Sequence, residues 1–273
     1  MPSCCGPHVS LKKTLYETVQ QTTDRCQCIQ CFLGGPIQYT TRTFAATDLE
    51  KTGQWLQKNN KKLYVHAPYV INLAHSKNDE MVEKGAQSLQ KILDTLSATG
   101  APENTGTVLH IGANGTIANV VKQLNDMNIC APLYLENCAG EGSKLGKNVD
   151  ELRALMEGCD SRNIGLCIDT CHSFAAGMTD LRSAESIVRT FDELDCKNTI
   201  IHLNDSITEF GSKKDRHAII GQGLIWTPQD GETHESALES FYALRDYAHN
   251  EDYDIILETP SDDLYEMDML CTF

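Results

Sequence analysis

Residues 165–178 read GLCIDTCHSFAAGM. An apolar run from Ile164 to Ile168 ends abruptly on Asp169, and His172 follows three positions later. A short apolar run of this kind reads as a fully buried strand. A carboxylate, an imidazole and two thiols, Cys167 and Cys171, therefore crowd one strand end. A redox pair, a lone metal ligand and plain core packing all satisfy that pattern, so the other strands have to discriminate.

Similar runs recur along the chain, near CGPHVS, CIQCFLG, KLYVHA, TVLHIG, PLYLEN, TIIHLND and DIILET. Between them lie segments with helical spacing: LKKTLYETVQQTTD, DEMVEKGAQSLQKILDTLSATG, TIANVVKQLNDM and HESALESFYALRDYAHN. In the last, Leu238, Phe241, Tyr242 and Leu244 form an apolar stripe at three- and four-residue steps. Strands alternating with helices in a chain of 273 residues predict an α/β fold, a parallel (β/α)₈ TIM barrel. A doubly wound open sheet is the competing arrangement. No internal repeat, low-complexity tract or Pro/Ser-rich linker interrupts the pattern, so one domain over 1–273 is the simpler expectation.

The strand ends then answer one another. His66 ends the third run, His110 falls late in the fourth, Glu136 ends the fifth and Asp169 the sixth. His202 lies in the seventh and Glu258 ends the eighth. In a barrel these all reach the carboxyl-end rim, where the active sites of the fold lie. One histidine on an apolar strand is ordinarily a satisfied core residue; six ligand-type residues at one rim point to metal. Imidazole and carboxylate without converging thiols suit zinc or manganese, and the set exceeds what one zinc needs.

His172, in the turn after Asp169, and the pair Asp215 and His217 in GSKKDRHAIIGQG extend the set to nine. Alone, the latter segment reads as a solvated charged loop. Beside the rim it adds an i, i+2 pair that an extended loop aims the same way. Divided at three or four ligands per ion with one carboxylate shared, the nine predict three metals.

Composition bounds the rest. Hydrophobic residues make up 41% and charged residues 22%, enough for a sizeable core. No stretch approaches the roughly 18 apolar residues of a membrane span, and MPSCCGPHVS lacks a signal-peptide pattern. The expectation is an intracellular protein, cytoplasmic or nuclear, with no membrane association. The twelve cysteines then read as reduced thiols. Cys26, Cys28 and Cys31 suggest a zinc finger, but on a strand Cys26 and Cys28 share one face and Cys31 the other, so they read as buried and inert. A net charge of −15 excludes a broad basic nucleic-acid surface. Three divalent ions against four carboxylates would still leave the pocket floor at about +2, enough for a phosphate.

At these residues the chain resembles endonuclease IV, the trinuclear-zinc apurinic/apyrimidinic (AP) endonucleases of AP endonuclease family 2. The similar stretches are HAPYVINLAH, LENCAGEGSKLG, GLCIDTCHSFAAGM, HLNDS, EFGSKKDRHAIIGQGLI and ILETP, in order from GPHVS to Pro260. The resemblance implies three zinc ions per chain, with manganese an alternative at one site. His66, His110 and Glu136 would hold the first. Glu136 would bridge to a second on Asp169, His202 and Glu258, and His172, Asp215 and His217 would hold the third. It makes Glu136 and Glu258 the catalytic carboxylates and Cys167 and Cys171 bystanders; Cys167, with the same strand parity as Asp169, is expected to pack inside the barrel below it. The implied reaction is hydrolysis of double-stranded DNA on the 5′ side of an abasic site, leaving a 3′-hydroxyl and a 5′-deoxyribose phosphate, with trimming of blocked 3′ ends. The expected state is a monomer.

The departures concern DNA contacts. Family members send polar or basic side chains from the loop after the second strand into the duplex; here that loop reads FLGGPIQYTTR, leaving Gln38, Tyr39 and Arg42 as candidates. Tyr69 matches a family tyrosine that approaches DNA. Lys213, Lys214 and Arg216 are candidates for phosphate contact, with Arg216 alternatively a brace within its loop. The chain ends soon after the last strand, leaving little length for a closing helix. A two-metal sugar isomerase or epimerase on the same barrel is the second enzymatic reading; it has no use for His172 with Asp215 and His217.

Overall fold

The computed structural model describes residues 5–22, 26–228 and 233–259. Strands and helices alternate: β1 (Cys5–Pro7), α1 (Leu15–Val19), β2 (Cys28–Cys31), α2 (Ala46–Asn59), β3 (Lys62–His66), α3 (Asp79–Ser97), β4 (Thr105–His110), α4 (Ile117–Asn125) and β5 (Leu133–Glu136). There follow α5 (Val149–Gly158), β6 (Ile164–Asp169), α6 (Thr170–Ala176), α7 (Ala184–Leu194), β7 (Thr199–Leu203), the short ribbon β8 (Asp205–Ser206) with β9 (His217–Ala218), α8 (His234–Asn250) and β10 (Asp254–Leu257). Eight strands lie in the order β1-β10-β7-β6-β5-β4-β3-β2, each pair parallel. The two ends of that sheet meet through a parallel bridge between His8 and Gln30, flanked by Gln27 N–H to Cys5 O (2.9 Å) and Val9 N–H to Gln30 O (2.7 Å). The sheet is thus a closed barrel, and the open-sheet alternative is excluded.

Each barrel strand follows a two-residue rule. Cys28, Tyr64, Val108, Tyr134, Cys167, Ile200 and Ile256, one from each of seven strands, pack on one another as a separate buried group. Residues from seven parallel strands meet this way only inside the barrel. Successive side chains alternate faces, so the residue two positions on points inward one layer higher. Those residues are Gln30, His66, His110, Glu136, Asp169, His202 and Glu258. An apolar plug therefore floors a polar layer at the carboxyl rim. Cys167 lies in the plug as expected, with burial pushing its thiol up to about 12.

Cys26 departs from its expected place. It packs in the outer core between barrel and helices with Cys31, while Cys28 is in the plug. Regular alternation begins only at Cys28, so parity does not extend back to Cys26. The three thiols do not converge, and burial raises that of Cys31 to about 12.

The helices close the outer layer by apolar stripes and polar caps. In α3, Leu89, Ile92, Leu93 and Leu96 are fully buried, each worth about 1.5–3 kcal/mol. Asn78, Thr116, Asn148 and Ser183 accept from the third backbone N–H of α3, α4, α5 and α7. Helix α1 is shorter than its 11–24 pattern, because Thr14 and Glu17 form a capping box that starts it late. Residues 260–273 lie outside the described residues, as does any closing helix they supply.

Candidate metal centre

Asp169 shows how the local sequence builds the site. It ends β6 and caps α6, its Oδ1 accepting from the His172 backbone N–H at 2.7 Å. The cap turns His172 back over the barrel, and Gly177 (φ 75°) ends the helix after two turns. The answer to the crowded strand end is thus geometric: Asp169 faces the barrel, and its cap delivers His172 beside it.

Glu136 is the hub. Its Oε2 lies 3.2 Å from His66 Nε2 and 3.0 Å from His110 Nε2. Its Oε1 lies 3.2 Å from His202 Nδ1 and 3.5 Å from His172 Nδ1. Glu258 Oε2 approaches the same His202 nitrogen at 3.1 Å. On the far side, Asp215 joins His172 Nε2 (3.0 Å) to His217 Nε2 (3.2 Å), and His217 Nε2 is 3.6 Å from Asp169 Oδ2. All nine sequence candidates are therefore brought together. Ligand-type atoms converge within 4.8 Å in three sets of them: His66, Glu136, His202 and Glu258; Glu136, Asp169 and His172; and His172, Asp215 and His217. His110 joins through Glu136 alone. Cys171 comes within the same reach of Asp169 and His217, but burial keeps its thiol well above the usual range, hence protonated.

The donor set fits cations. Glu136 Oε2 and His217 Nε2 are buried and make no hydrogen bond of sound geometry, although facing partners lie 3.0–3.2 Å away. Buried polar atoms are normally satisfied, so atoms aimed at a shared space rather than at each other mark a site for an ion. The electrostatics agree. Burial opposes ionisation of Glu136, yet His110 and His202 hold its pKa well below the usual carboxylate range. Burial likewise opposes Glu258, which His202 and His8 depress. Burial works against charge on His172 and His217, but Asp169 and Asp215 raise them to about 10 and about 9. Without cations, protons must balance these carboxylates.

Supporting groups fix the rings. His66 Nδ1 is 2.7 Å from Ala67 O and His172 Nδ1 is 3.0 Å from Asn137 O, so their Nε2 atoms face the site. The Asn137 amide accepts from Asp169 N–H (2.6 Å) and donates to Asp169 O (3.2 Å) and Ser173 Oγ (2.9 Å). Asn204 donates to Asp169 Oδ2 at 2.6 Å. Asp205 collects backbone N–H groups of Gly221, Gly223 and Ile225, anchoring the loop beyond His217. At Gly223 a Cβ would lie 2.3 Å from Asp205 Oδ1, so that approach requires glycine.

The comparisons meet this geometry. A family model described as a xylose isomerase-like TIM barrel, AP endonuclease family 2, matches residues 26–263. The probable endonuclease 4 of Halothermothrix orenii is 36% identical over 236 residues, spanning 81% of this chain and 84% of that protein. The chain belongs to the endonuclease IV family. Endonuclease IV from Thermus thermophilus superposes with a TM-score of 0.79 at 26% identity, covering 98% of this chain and 97% of that one. A D-tagatose 3-epimerase-like protein shares the barrel alone, with a TM-score of 0.62 at 15% identity over 99% and 94% of the two chains. Among the described residues no helix is long and apolar enough to cross a membrane.

The candidate centre opens into a cleft of about 460 Å³, lined also by Tyr69, Lys144 and Arg216. Tyr69 is half exposed, its ring centroid 5.1 Å from that of His66 and 5.2 Å from that of His110. Lys213 and Lys214 are exposed. Arg216 donates to Asp215 O and lies 3.7 Å from Glu141. In the loop after β2, Gln38 is exposed, Tyr39 packs against the outer core, and Arg42 donates to Lys12 O and, at 3.1 Å, Lys13 O. Ile37, not singled out from sequence, is 72% exposed and the most exposed large hydrophobic among the described residues. Gln30, His8, Asn137 and Asn204 were also missed. For Gln30 the one available signal was a polar residue within the run CIQCF.

Proposed function

We propose that the chain is a metal-dependent DNA repair nuclease that cleaves double-stranded DNA on the 5′ side of an abasic site, leaving a 3′-hydroxyl and a 5′-deoxyribose phosphate, and that trims blocked 3′ ends. Membership of the endonuclease IV family supports the class. The observation that carries the finer reading is the nine-residue rim itself, with a separate His172, Asp215 and His217 set beyond the Glu136 hub. A two-metal epimerase would leave that set without work.

Three divalent cations would be held, zinc suiting the imidazole and carboxylate donors: one by His66, His110 and Glu136, one by Glu136, Asp169, His202 and Glu258, and one by His172, Asp215 and His217. When bound they supply Lewis acidity, making water nucleophilic near neutral pH and sharing the charge that gathers on the phosphoryl oxygens. The chain holds and orients. Glu136 ties three strands to one point, Asn137 and Asn204 fix Asp169, and the apolar plug denies water a path from below. Tyr69 keeps its proton, because burial and Glu258 push its pKa up, so it presents a neutral ring where an unstacked base or sugar would lie. Lys144, Lys213, Lys214 and Arg216 give a local cationic rim on an acidic protein, and Gln38 with Ile37 forms the outward tip of the β2 loop.

Duplex DNA with one abasic site, incubated with and without chelator, tests the reading. Cleavage on the 5′ side that chelator abolishes and zinc restores is expected. Intact duplex alongside turnover of a ketose would transfer the chain to the epimerases.

A further inference from the structure

Seven of the eight barrel strands end at or beside a titratable group of the rim layer; β2 contributes Gln30 instead. This residue is fully buried, in the inward position directly above Cys28 of the plug. Its Oε1 lies 2.9 Å from His202 Nε2, its Nε2 donates to Glu258 Oε1, and the same nitrogen is 3.1 Å from His8 Nδ1. His8 Nδ1 also stands 3.3 Å from Glu258 Oε1. The amide has one workable orientation, since reversing it would set a carbonyl against the Glu258 carboxylate and an NH₂ against an imidazole N–H.

His202 differs from its neighbours in how its ring is held. His66 and His172 are held through Nδ1 by backbone carbonyls and turn Nε2 to the site. His202 is reversed: Nδ1 faces Glu136 Oε1 (3.2 Å) and Glu258 Oε2 (3.1 Å), and Nε2 points across the barrel. Inside a closed barrel the backbone carbonyls are committed to the strand ladders. An inward side chain can accept that N–H: Cys167 of β6 lies against the same imidazole, and Gln30 reaches in from β2 to set its amide oxygen 2.9 Å from Nε2.

We propose that Gln30 is a positioning residue for the metal centre: it keeps the proton of His202 on Nε2 and turns Glu258, so that His202 Nδ1 and the Glu258 carboxylate address one cation. The inference rests on the metal reading above and deepens it. Loss of such an outer partner typically costs 10- to 100-fold in metal affinity.

The test titrates metal-stripped protein with zinc at buffered free concentrations and counts bound ions by elemental analysis. Gln30→Met keeps the length of the side chain and removes both polar contacts. It is expected to weaken one of three ions about 10- to 100-fold and leave two unchanged. Gln30→Glu returns an oxygen to His202 but sets a second carboxylate oxygen against Glu258 Oε1, so the same ion is expected to stay weakened. Three ions at wild-type affinity in Gln30→Met overturn the proposal, as does parallel loss of all three, which would mark a merely structural residue. Should Gln30→Met not fold, Gln30→Leu, which also removes both polar contacts, decides by the same two criteria. A wild-type protein that binds no zinc defeats the metal reading itself, and the inference with it.

Discussion

Replacing Asn137 by alanine removes the amide that ties β5 to the start of α6. The side chain is buried, and its three hydrogen bonds reach Asp169 N–H, Asp169 O and Ser173 Oγ. Ser173 Oγ keeps its bond to Asp169 O at 2.8 Å, so it is not orphaned. The Asp169 N–H, bonded at 2.6 Å in a residue that is 0% exposed, is. A buried donor left alone costs about 1–3 kcal/mol, and the cavity adds to it, so about 3 kcal/mol is expected. For a chain of this size each kcal/mol moves the melting temperature by about 2 °C, giving a fall of about 6 °C. The metal-free protein should be compared with its variant by calorimetry, because bound ions would mask the difference. A melting temperature within about 1 °C of wild type would refute the claim that this amide secures Asp169. The variant should also bind zinc more weakly, since Asp169 is the helix cap and, on the proposed reading, a ligand.

Elemental analysis of gently purified protein should find close to three divalent ions, mostly zinc, with His172→Ala losing one preferentially; two or fewer in the wild type would favour the epimerase reading. Glu258→Gln should lower cleavage of abasic duplex by at least ~100-fold, at the upper end of what disturbing a metal site costs, while binding persists in a gel-shift assay; near wild-type cutting would remove Glu258 from the centre. Tyr69→Ala should reduce kcat/KM about 10- to 100-fold without altering metal content, as expected if a stacking contact worth about 1–3 kcal/mol is lost; an unchanged value would pass lesion reading to Ile37 and Gln38. In metal-free protein the pKa values of His172 and His217 are raised to about 10 and about 9. Their stabilisation is complete below about 6.5 and lost as pH rises through 9–10. Zinc must displace those protons, so affinity should increase across the same window; pH-independent affinity would contradict the ligand assignment.

The fold was legible because strand and ligand positions obey one rule. A parity of two placed an apolar residue and then a ligand on six strands, and that rule needs no knowledge of distant partners. Asp215 and His217 were legible only beside those six, since an i, i+2 pair in a charged loop says nothing alone. Gln30 and His8 escaped for a physical reason: their partners are 172 to 250 residues away and meet them only once the barrel closes. Glutamine also carries no charge or coordination preference to flag it. Cys26 was misread because parity holds only within a strand, and the strand starts two residues later. The exposure of Ile37 depends on how a Gly/Pro loop folds back, which no periodicity encodes.

The barrel closes on its thinnest join. Neighbouring strands elsewhere share three or four registered pairs, whereas β1 and β2 share a single bridge, His8 with Gln30. Those two residues also grip Glu258. The wall most prone to part is thus fastened by the charge lattice, and on the proposed reading a cation seated on Glu258 would act as a rivet through the seam. Retention of the ion and integrity of the cylinder would then be one equilibrium: each transient parting would be an exit route for the ion, and each bound ion would lower the frequency of parting.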